Sequence, residues 1–265
     1  MATRKQKKII VLGAQGLLGR AVSRYFSNRG DSVVEVDREN YNDYVGSRAD
    51  LLINCNGSPY RFKANKNPSS DFEHNVTSVK NSLFDFSVKT YIYISTIDVY
   101  QTRNKINETN EESEIKEKLL DNYGFHKWLA EQLVLKYSKN YLIIRSGTLI
   151  GEGLKKGPIF DILNGNRLRM SLESKLSLID TNVVAEALGT ILATEPFQQT
   201  YNVTGKNSVR LIDLRNRIQI PIKEPRESDQ IVYEYAIDTK KLSSIFKIPS
   251  SSEMTIRFIN DKNKK

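Results

Sequence analysis

Cysteine and histidine are almost missing from this chain. Its 265 residues include one cysteine, Cys55, and two histidines, His74 and His126. A lone thiol excludes an intramolecular disulfide framework and a zinc site built on several cysteines. Two imidazoles give no basis for a histidine-built metal centre, so no metal is expected. Long apolar runs are missing too, and nothing approaches the roughly 18–20 residues of a membrane span. The run Ile9-Ile10-Val11-Leu12 behind the basic opening residues is too short for the apolar core of a secretion signal. The sequons at Asn75, Asn107 and Asn202 therefore carry little weight. The expectation is a soluble, cytoplasmic protein with no membrane partner.

What is present is enough to build a core. Hydrophobic residues make up 39% of the chain beside 14 glycines, and the length suits one large or two modest domains. Lysine and arginine outnumber aspartate and glutamate by 40 to 31, a net charge of +9. Such a surplus suits nucleic acid, an anionic surface or a phosphorylated small molecule. Here it is spread along the chain, with small clusters at the ends (Arg4, Lys5, Lys7, Lys8 and Lys262, Lys264, Lys265) that read as solvated tails. Nucleic acid is not an expected partner.

No internal repeat is visible, and the first half alternates short β-branched runs with helical patterns. Strands are expected at 9–12, 32–36, 50–54, 91–95 and 141–145, with helices at 17–28, 76–88 and 123–138. This alternation predicts an α/β fold, a Rossmann-type doubly wound parallel sheet with crossover helices on both faces. Glycine and proline at Gly151, Gly153, Gly157 and Pro158 mark a boundary. Residues 1–150 are read as a dinucleotide-binding domain, to which 176–205 returns. Residues 151–175 and 206–265 are read as a small C-terminal α/β substrate domain.

Between the first strand and first helix lies Gly13-Ala14-Gln15-Gly16-Leu17-Leu18-Gly19. Gly13 permits the tight turn, Gly16 the close approach of a pyrophosphate, and Gly19 the packing of helix on sheet. The helix N-terminus offers N–H groups and partial positive charge to the phosphates. The spacing is one residue longer than G-x-G-x-x-G. Asp37 ends the second strand at the place of a carboxylate that holds the adenosine ribose, which favours NAD. Arg38 beside it leaves NADP open, since a guanidinium pairs with the extra phosphate. Farther on, Tyr123 and Lys127 stand at i and i+4 on one helix face. An ammonium beside a phenol favours the phenolate, and such a pair moves a proton to or from a sugar hydroxyl.

Together these features resemble the extended short-chain dehydrogenase/reductase family, the NAD-dependent epimerases, dehydratases and reductases of nucleotide sugars. Asn75-Val76-Thr77-Ser78-Val79-Lys80-Asn81 is similar to its N-V-x-G-T-x-N helix start, and Tyr93–Tyr100 to its S-S-x-x-V-Y strand end. Ile144–Gly151 resembles R-P-x-x-x-x-G, Leu178–Leu188 resembles F-I-H-V-D-D-V-A-E-A-L, and Tyr201–Gly205 resembles Y-N-V-G-G. The resemblance spans about residues 8–214, with its motifs in order.

The resemblance implies an NAD(P)-dependent epimerase or reductase of a nucleotide-activated keto-sugar, working in carbohydrate biosynthesis. Thr96 would hydrogen-bond the reacting oxygen, Tyr123 exchange its proton, and Lys127 hold the ribose and tune Tyr123. Asn54, Cys55 and Asn56 would line the cofactor, and Asn75 and Ser146 touch it, though capping or packing suits these two equally. Gln15, Leu17 and Leu18 belong to the same cofactor cradle. Cys55 reads as a buried small side chain and His126 as a helix-surface residue. Dehydratases of the family follow the threonine with an Asp–Glu pair, whereas this chain has Ile97 and Asp98. That disfavours 4,6-dehydration and leaves Asp98 as an accessory base or a structural carboxylate. Thr148, Arg167 and Arg169 are candidate substrate residues, and Lys155 and Lys156 candidates for the diphosphate. The charged stretch 102–121 is expected to lie exposed over the site. In relatives the helices holding Asn81 and Tyr123–Ser138 form a four-helix homodimer interface, for which Leu129, Leu133 and Val134 supply apolar surface. The alternative is a binding-only, regulatory or RNA-associated protein of the same fold.

Overall fold

The first half of the chain lays down most of its strands with helices between them. In the computed structural model, which describes residues 5–58, 61–218 and 220–263, the elements are β1 (Lys8–Leu12), α1 (Leu17–Asn28), β2 (Ser32–Val36) and β3 (Arg48–Asn54). Then come α2 (Arg61–Lys66), α3 (Pro68–Phe72), α4 (Ser78–Asp85), β4 (Ser87–Thr96), α5 (Asn122–Tyr137), β5 (Tyr141–Ser146) and β6 (Thr148–Ile150). Arg4, Lys264 and Lys265 of the basic ends lie outside the described residues. The second half holds α6 (Pro158–Leu163), β7 (Lys175–Leu176), β8 (Leu178–Asp180), α7 (Thr181–Thr194) and β9 (Gln199–Val203). It ends with β10 (Val209–Arg210), α8 (Leu211–Leu214), α9 (Lys240–Ser243) and α10 (Ser251–Asn263).

Six strands form one parallel sheet in the order β2-β1-β3-β4-β5-β9. A parallel sheet is covered on both faces, so its strands read as continuous apolar runs. Ile9, Ile10, Val11 and Leu12 are all fully buried. Ile9 and Val11 join the core with Leu18, Val22 and Phe26 of α1 and with α7. Ile10 and Leu12 face the other core, with Val79 of α4 and Ala130 and Val134 of α5. The strand order reverses between β1 and β3, and in such sheets the crevice beyond the strand ends at that point takes the ligand. In the second half, α7 packs on α1 and β9 pairs with β5. The remainder forms two small sheets, β6 with β8 and β7 with β10, braced by α10.

The helix expected at 76–88 is placed differently. It runs from α3 through a π-helical turn at Glu73–Thr77 into α4 and stops at Asp85. Phe86 is extended and buried, and the Ser87 N–H donates to Ser47 O at 3.0 Å, which starts β4 early. The sequons at Asn75 and Asn202 are closed to modification, since both residues are buried. No helix of the described residues is long and apolar enough to cross a membrane.

At the C-terminal ends of β4 and β5 the core becomes polar. Arg145 pairs with Glu131 of α5 through Nε at 3.2 Å and Nη2 at 2.9 Å, and Ser95 donates to the same carboxylate. The Arg145 Nη1 donates to Tyr100 Oη, which donates to Asn202 of β9. Both members of the ion pair are almost fully buried. Removing one member leaves the other as an unpaired buried charge, at a cost of about 3–5 kcal/mol. Arg145→Met is expected to lower the unfolding free energy by about that amount in urea titration.

Candidate active site

The glycine-rich turn has the geometry of a phosphate cradle. Gly13 sits at φ +72°, and a Cβ there would lie 2.6 Å from Asn56 Oδ1. A Cβ on Gly19 would lie 2.0 Å from Gly13 O, so the first turn of α1 rests directly on the loop. Gly16 begins the helix with no side-chain cap, and no acidic residue occupies the first turn, which leaves Leu17 and Leu18 to present backbone N–H groups outward. The Gln15 N–H donates to both Asp37 oxygens, at 3.2 and 3.1 Å. That hydrogen bond fixes the carboxylate at the mouth of the turn, with Arg38 exposed next to it. The glycine turn and Asp37 thus meet through the Gln15 N–H.

Beneath the turn, Asn54 has another role than lining the cofactor. Its side chain is fully buried, donating to Ser82 Oγ and Tyr91 Oη and accepting from the Asn56 N–H. It shapes the loop that carries Cys55, Asn56 and Gly57. Cys55 is half-buried, and burial pushes its thiol up to about 12, so it remains an inert apolar filler. Asn75 is lifted by the π-helical turn until its Oδ1 accepts from the Ser58 N–H at 3.2 Å. Its Nδ2 is buried with no hydrogen-bond partner among the described residues. An orphaned donor beside Gly57 and Lys127 Nζ, together with the glycine cradle and Asp37, fits a dinucleotide. Ser146 is buried and donates to Gly147 O, a packing contact.

Thr96, Tyr123 and Lys127 come together at the end of β4. Thr96 Oγ1 accepts from the Asp98 N–H at 3.2 Å, and its side chain lies beside that of Tyr123. Gly124 permits this approach, because a Cβ there would lie 2.5 Å from Asp98 O. Lys127 Nζ donates to Ile94 O at 2.8 Å and lies 4.3 Å from the centre of the Tyr93 ring. Burial pushes the Lys127 ammonium down to about 7, partly offset by Glu131 and Asp71. Burial and then Asp98 push the Tyr123 phenol above its ordinary value. The expected lowering of Tyr123 by Lys127 is therefore not found, since carboxylates act on the phenol while the ammonium is turned to the strand carbonyl.

Asp98 is tied down on all sides. Its Oδ1 accepts from Arg103 at 2.6 Å, Arg61 at 3.4 Å and the Tyr235 hydroxyl at 2.8 Å. Arg61 also bridges to Asp121, whose Oδ1 caps α5 by accepting from the Gly124 N–H at 2.8 Å. Two guanidinium groups and a phenol thus converge on one Asp98 oxygen. Arg61, Arg103, Tyr235 and the capping Asp121 escaped the sequence reading. They lie in polar stretches without a motif, and Tyr235 stands 137 residues from Asp98 in the chain. Asp121, one position before the helix, was the one visible signal. His126 also departs from expectation: it is buried rather than on the surface, and its Nδ1 lies 2.8 Å from Asp71 Oδ2.

The remaining candidates lie elsewhere. Arg167 and Arg169 are exposed and line a cavity of about 540 Å³ with Arg226, Asp161 and Asp229. Thr148 is held in β6, its N–H donating to Ser177 O. Lys155 is exposed, whereas Lys156 is half-buried and pushed down to about 7 by burial and by Lys63. The charged stretch 102–121 is exposed only in part. It is pinned by Thr109, whose hydroxyl donates to Ala236 O, and by Glu111, which accepts from the Asn202 N–H.

A family model described as the NAD dependent epimerase/dehydratase family matches residues 9–164. No curated protein matches the chain. Among solved structures, a UDP-galactose 4-epimerase superposes with a TM-score of 0.79 at 19% identity, covering 97% of this chain and 99% of that one. The UDP-glucuronic acid 4-epimerase of Bacillus cereus, bound to UDP-glucuronic acid and NAD, gives 0.80 at 16% identity, with 97% and 99% covered. The dTDP-4-dehydrorhamnose reductase of Bacillus anthracis, bound to NADP, gives 0.76 at 15%, with 98% and 100% covered. By motif order, by fold and by a family match over more than half its length, this chain belongs to the NAD dependent epimerase/dehydratase family.

Proposed function

We propose that this protein interconverts hydroxyl and keto groups on a nucleotide-activated sugar, as an epimerase or reductase that uses NAD, with NADP as the second choice. The observation that carries this reading is the meeting of Thr96, Tyr123 and Lys127 at the strand ends that also carry the glycine turn and Asp37. Thr96 holds the reacting sugar oxygen as charge develops on it. Tyr123, kept protonated by burial and Asp98, gives its proton to that oxygen in the reductive direction and takes it back in the oxidative one. Lys127 and Asn75 Nδ2 hold the cofactor beside them. The nicotinamide, when bound, supplies the hydride donor or acceptor. Neighbours of the same fold act on UDP- and dTDP-sugars, which supports the substrate class. Nothing in the family or among these neighbours supports a binding-only role.

The same reading disfavours 4,6-dehydration. Expelling water from the sugar needs an acid for the leaving hydroxyl and a base for the adjacent carbon. Ile97 is buried and apolar, and Asp98 is held by two arginines, so neither task has a residue. Tyr123→Phe is expected to cut turnover by about 10²–10⁴-fold while leaving the NAD dissociation constant nearly unchanged. Turnover equal to the wild type overturns the assignment. Asp37→Ala is expected to weaken NAD more than NADP in calorimetric titration, because it removes the ribose partner and leaves Arg38.

A homodimer through α4 and α5 completes the reading, in the cytoplasm where nucleotide sugars and nicotinamide cofactors are pooled. Val134 is fully buried and belongs to the core, so the interface rests on other residues. Phe84, Leu135 and Tyr137 are exposed, and the Phe84 and Tyr137 rings meet edge to face at 5.0 Å. Phe84→Glu is expected to halve the mass measured by light scattering.

A further inference from the structure

The redox reading leaves one buried ionisable pair without a task. Asp71 of α3 and His126 of α5 are both buried, joined at 2.8 Å between Asp71 Oδ2 and His126 Nδ1. Only one carboxylate oxygen is used, and Asp71 Oδ1 is buried with no hydrogen-bond partner among the described residues. His126 is boxed by aromatic edges, with the Phe72 ring at 5.4 Å and the Phe125 ring at 6.0 Å. On α5 it precedes Lys127 and lies three residues after Tyr123, and side chains at that helical spacing are neighbours. A buried charge with one oxygen unpartnered acts at longer range than a surface charge. Its influence extends to Tyr123, Lys127 and the Tyr93 ring under Lys127, because the carboxylate opposes a phenolate and favours an ammonium.

We propose that Asp71 and His126 form a positioning dyad behind Tyr123 and Lys127, the imidazole holding the carboxylate and switching its net charge when it takes a proton. The inference rests on the assignment of Tyr123 and Lys127 to proton handling. With the imidazole neutral, the dyad is negative and supports the Lys127 ammonium. With the imidazole protonated, the dyad is neutral and that support is withdrawn, so the two protons compete. The other groups in reach are Glu131 on α5 and Cys55 beyond β3, which act on Lys127, and Asp98 and Arg61, which act on Tyr123. Glu73 and His74, next along the chain from α3, are exposed.

The test is carbon-13 NMR of the cofactor-free protein labelled at lysine Cε, with the Lys127 signal assigned through Lys127→Arg. Asp71→Asn keeps the shape and removes the charge, and it is expected to move the Lys127 titration about one pH unit below its wild-type position near 7. His126→Gln keeps a donor toward Asp71 but takes no proton. It is expected to reduce the Lys127 curve from two steps to one, and this variant carries the test if Asp71→Asn fails to fold. A Lys127 titration unchanged in a folded Asp71→Asn, or one with a single step in both wild type and His126→Gln, overturns the dyad. No substrate or dinucleotide takes part, so this outcome is separate from that of Tyr123→Phe.

Discussion

The rotation of α5 about its own axis is the constraint on which the site depends. Tyr123, Lys127 and Glu131 follow one another at four-residue steps, so they form one stripe along the helix. Lys127 donates to the Ile94 carbonyl of β4 and Glu131 accepts from its Ser95 hydroxyl, while Tyr123 faces Thr96 at the end of the same strand. Glu131 is the strongest of these attachments, because Arg145 of β5 grips it with two nitrogens inside the core. A helix held only by apolar contacts has some freedom to slide or turn. One held by a buried, two-point ion pair does not, and the pair fixes where Tyr123 and Lys127 emerge at the strand ends. The Tyr100 and Asn202 contacts extend the same clamp to β9, and Asn202 also donates to Thr109 and Asp238 carbonyls. Tyr123, Lys127 and the segment around Thr109 are thereby referenced to one network.

Surplus positive charge has a second meaning in this molecule. Two of its members converge on one carboxylate. Arg61 and Arg103 meet Asp98 from elements far apart in the chain, and Arg61 joins it to Asp121 at the start of α5. Tyr235, whose hydroxyl reaches the same Asp98 oxygen, ties the C-terminal region into the cluster. The carboxylate that a dehydratase would use as a base serves here as a knot between the two parts of the chain.

Much of this was written plainly in the sequence, and the reasons are physical. Ile9–Leu12, followed by glycines at a fixed spacing, can hardly be anything but a buried strand running into a helix, because burial and turn sterics both act locally. Tyr123 and Lys127 are on one face by helix geometry alone. What was hidden depended on tertiary placement. The π-helical turn at Glu73–Thr77 leaves no mark in periodicity, yet it aims Asn75 at Gly57. His126 on a polar-looking helix face was expected at the surface, and it is Asp71, 55 positions away, that makes its burial tolerable. Arg61 and Arg103 were two charges among many until Asp98 and Tyr235 stood between them. Residues whose role is fixed by local geometry can be read in advance, and residues whose role is fixed by a distant partner cannot.

The protonation of the site sets stability against function. Lys127 titrates near 7 in the folded chain and near its ordinary 10.5 when unfolded, so between these values the unfolded chain binds more protons than the folded one. Stability from this group therefore rises with pH across that window, and protonating the buried amine below it works against the fold. An ammonium is nevertheless the form that supports a phenolate and binds sugar hydroxyls most firmly. The nearby carboxylates of Glu131 and Asp71 reduce the conflict by returning part of the lost solvation. Glu131 is committed to Arg145, so its charge is largely neutralised. Asp71 is held by an imidazole that can be neutral, and it keeps an oxygen free of partners. Of the two, Asp71 is the carboxylate whose influence on Lys127 can vary.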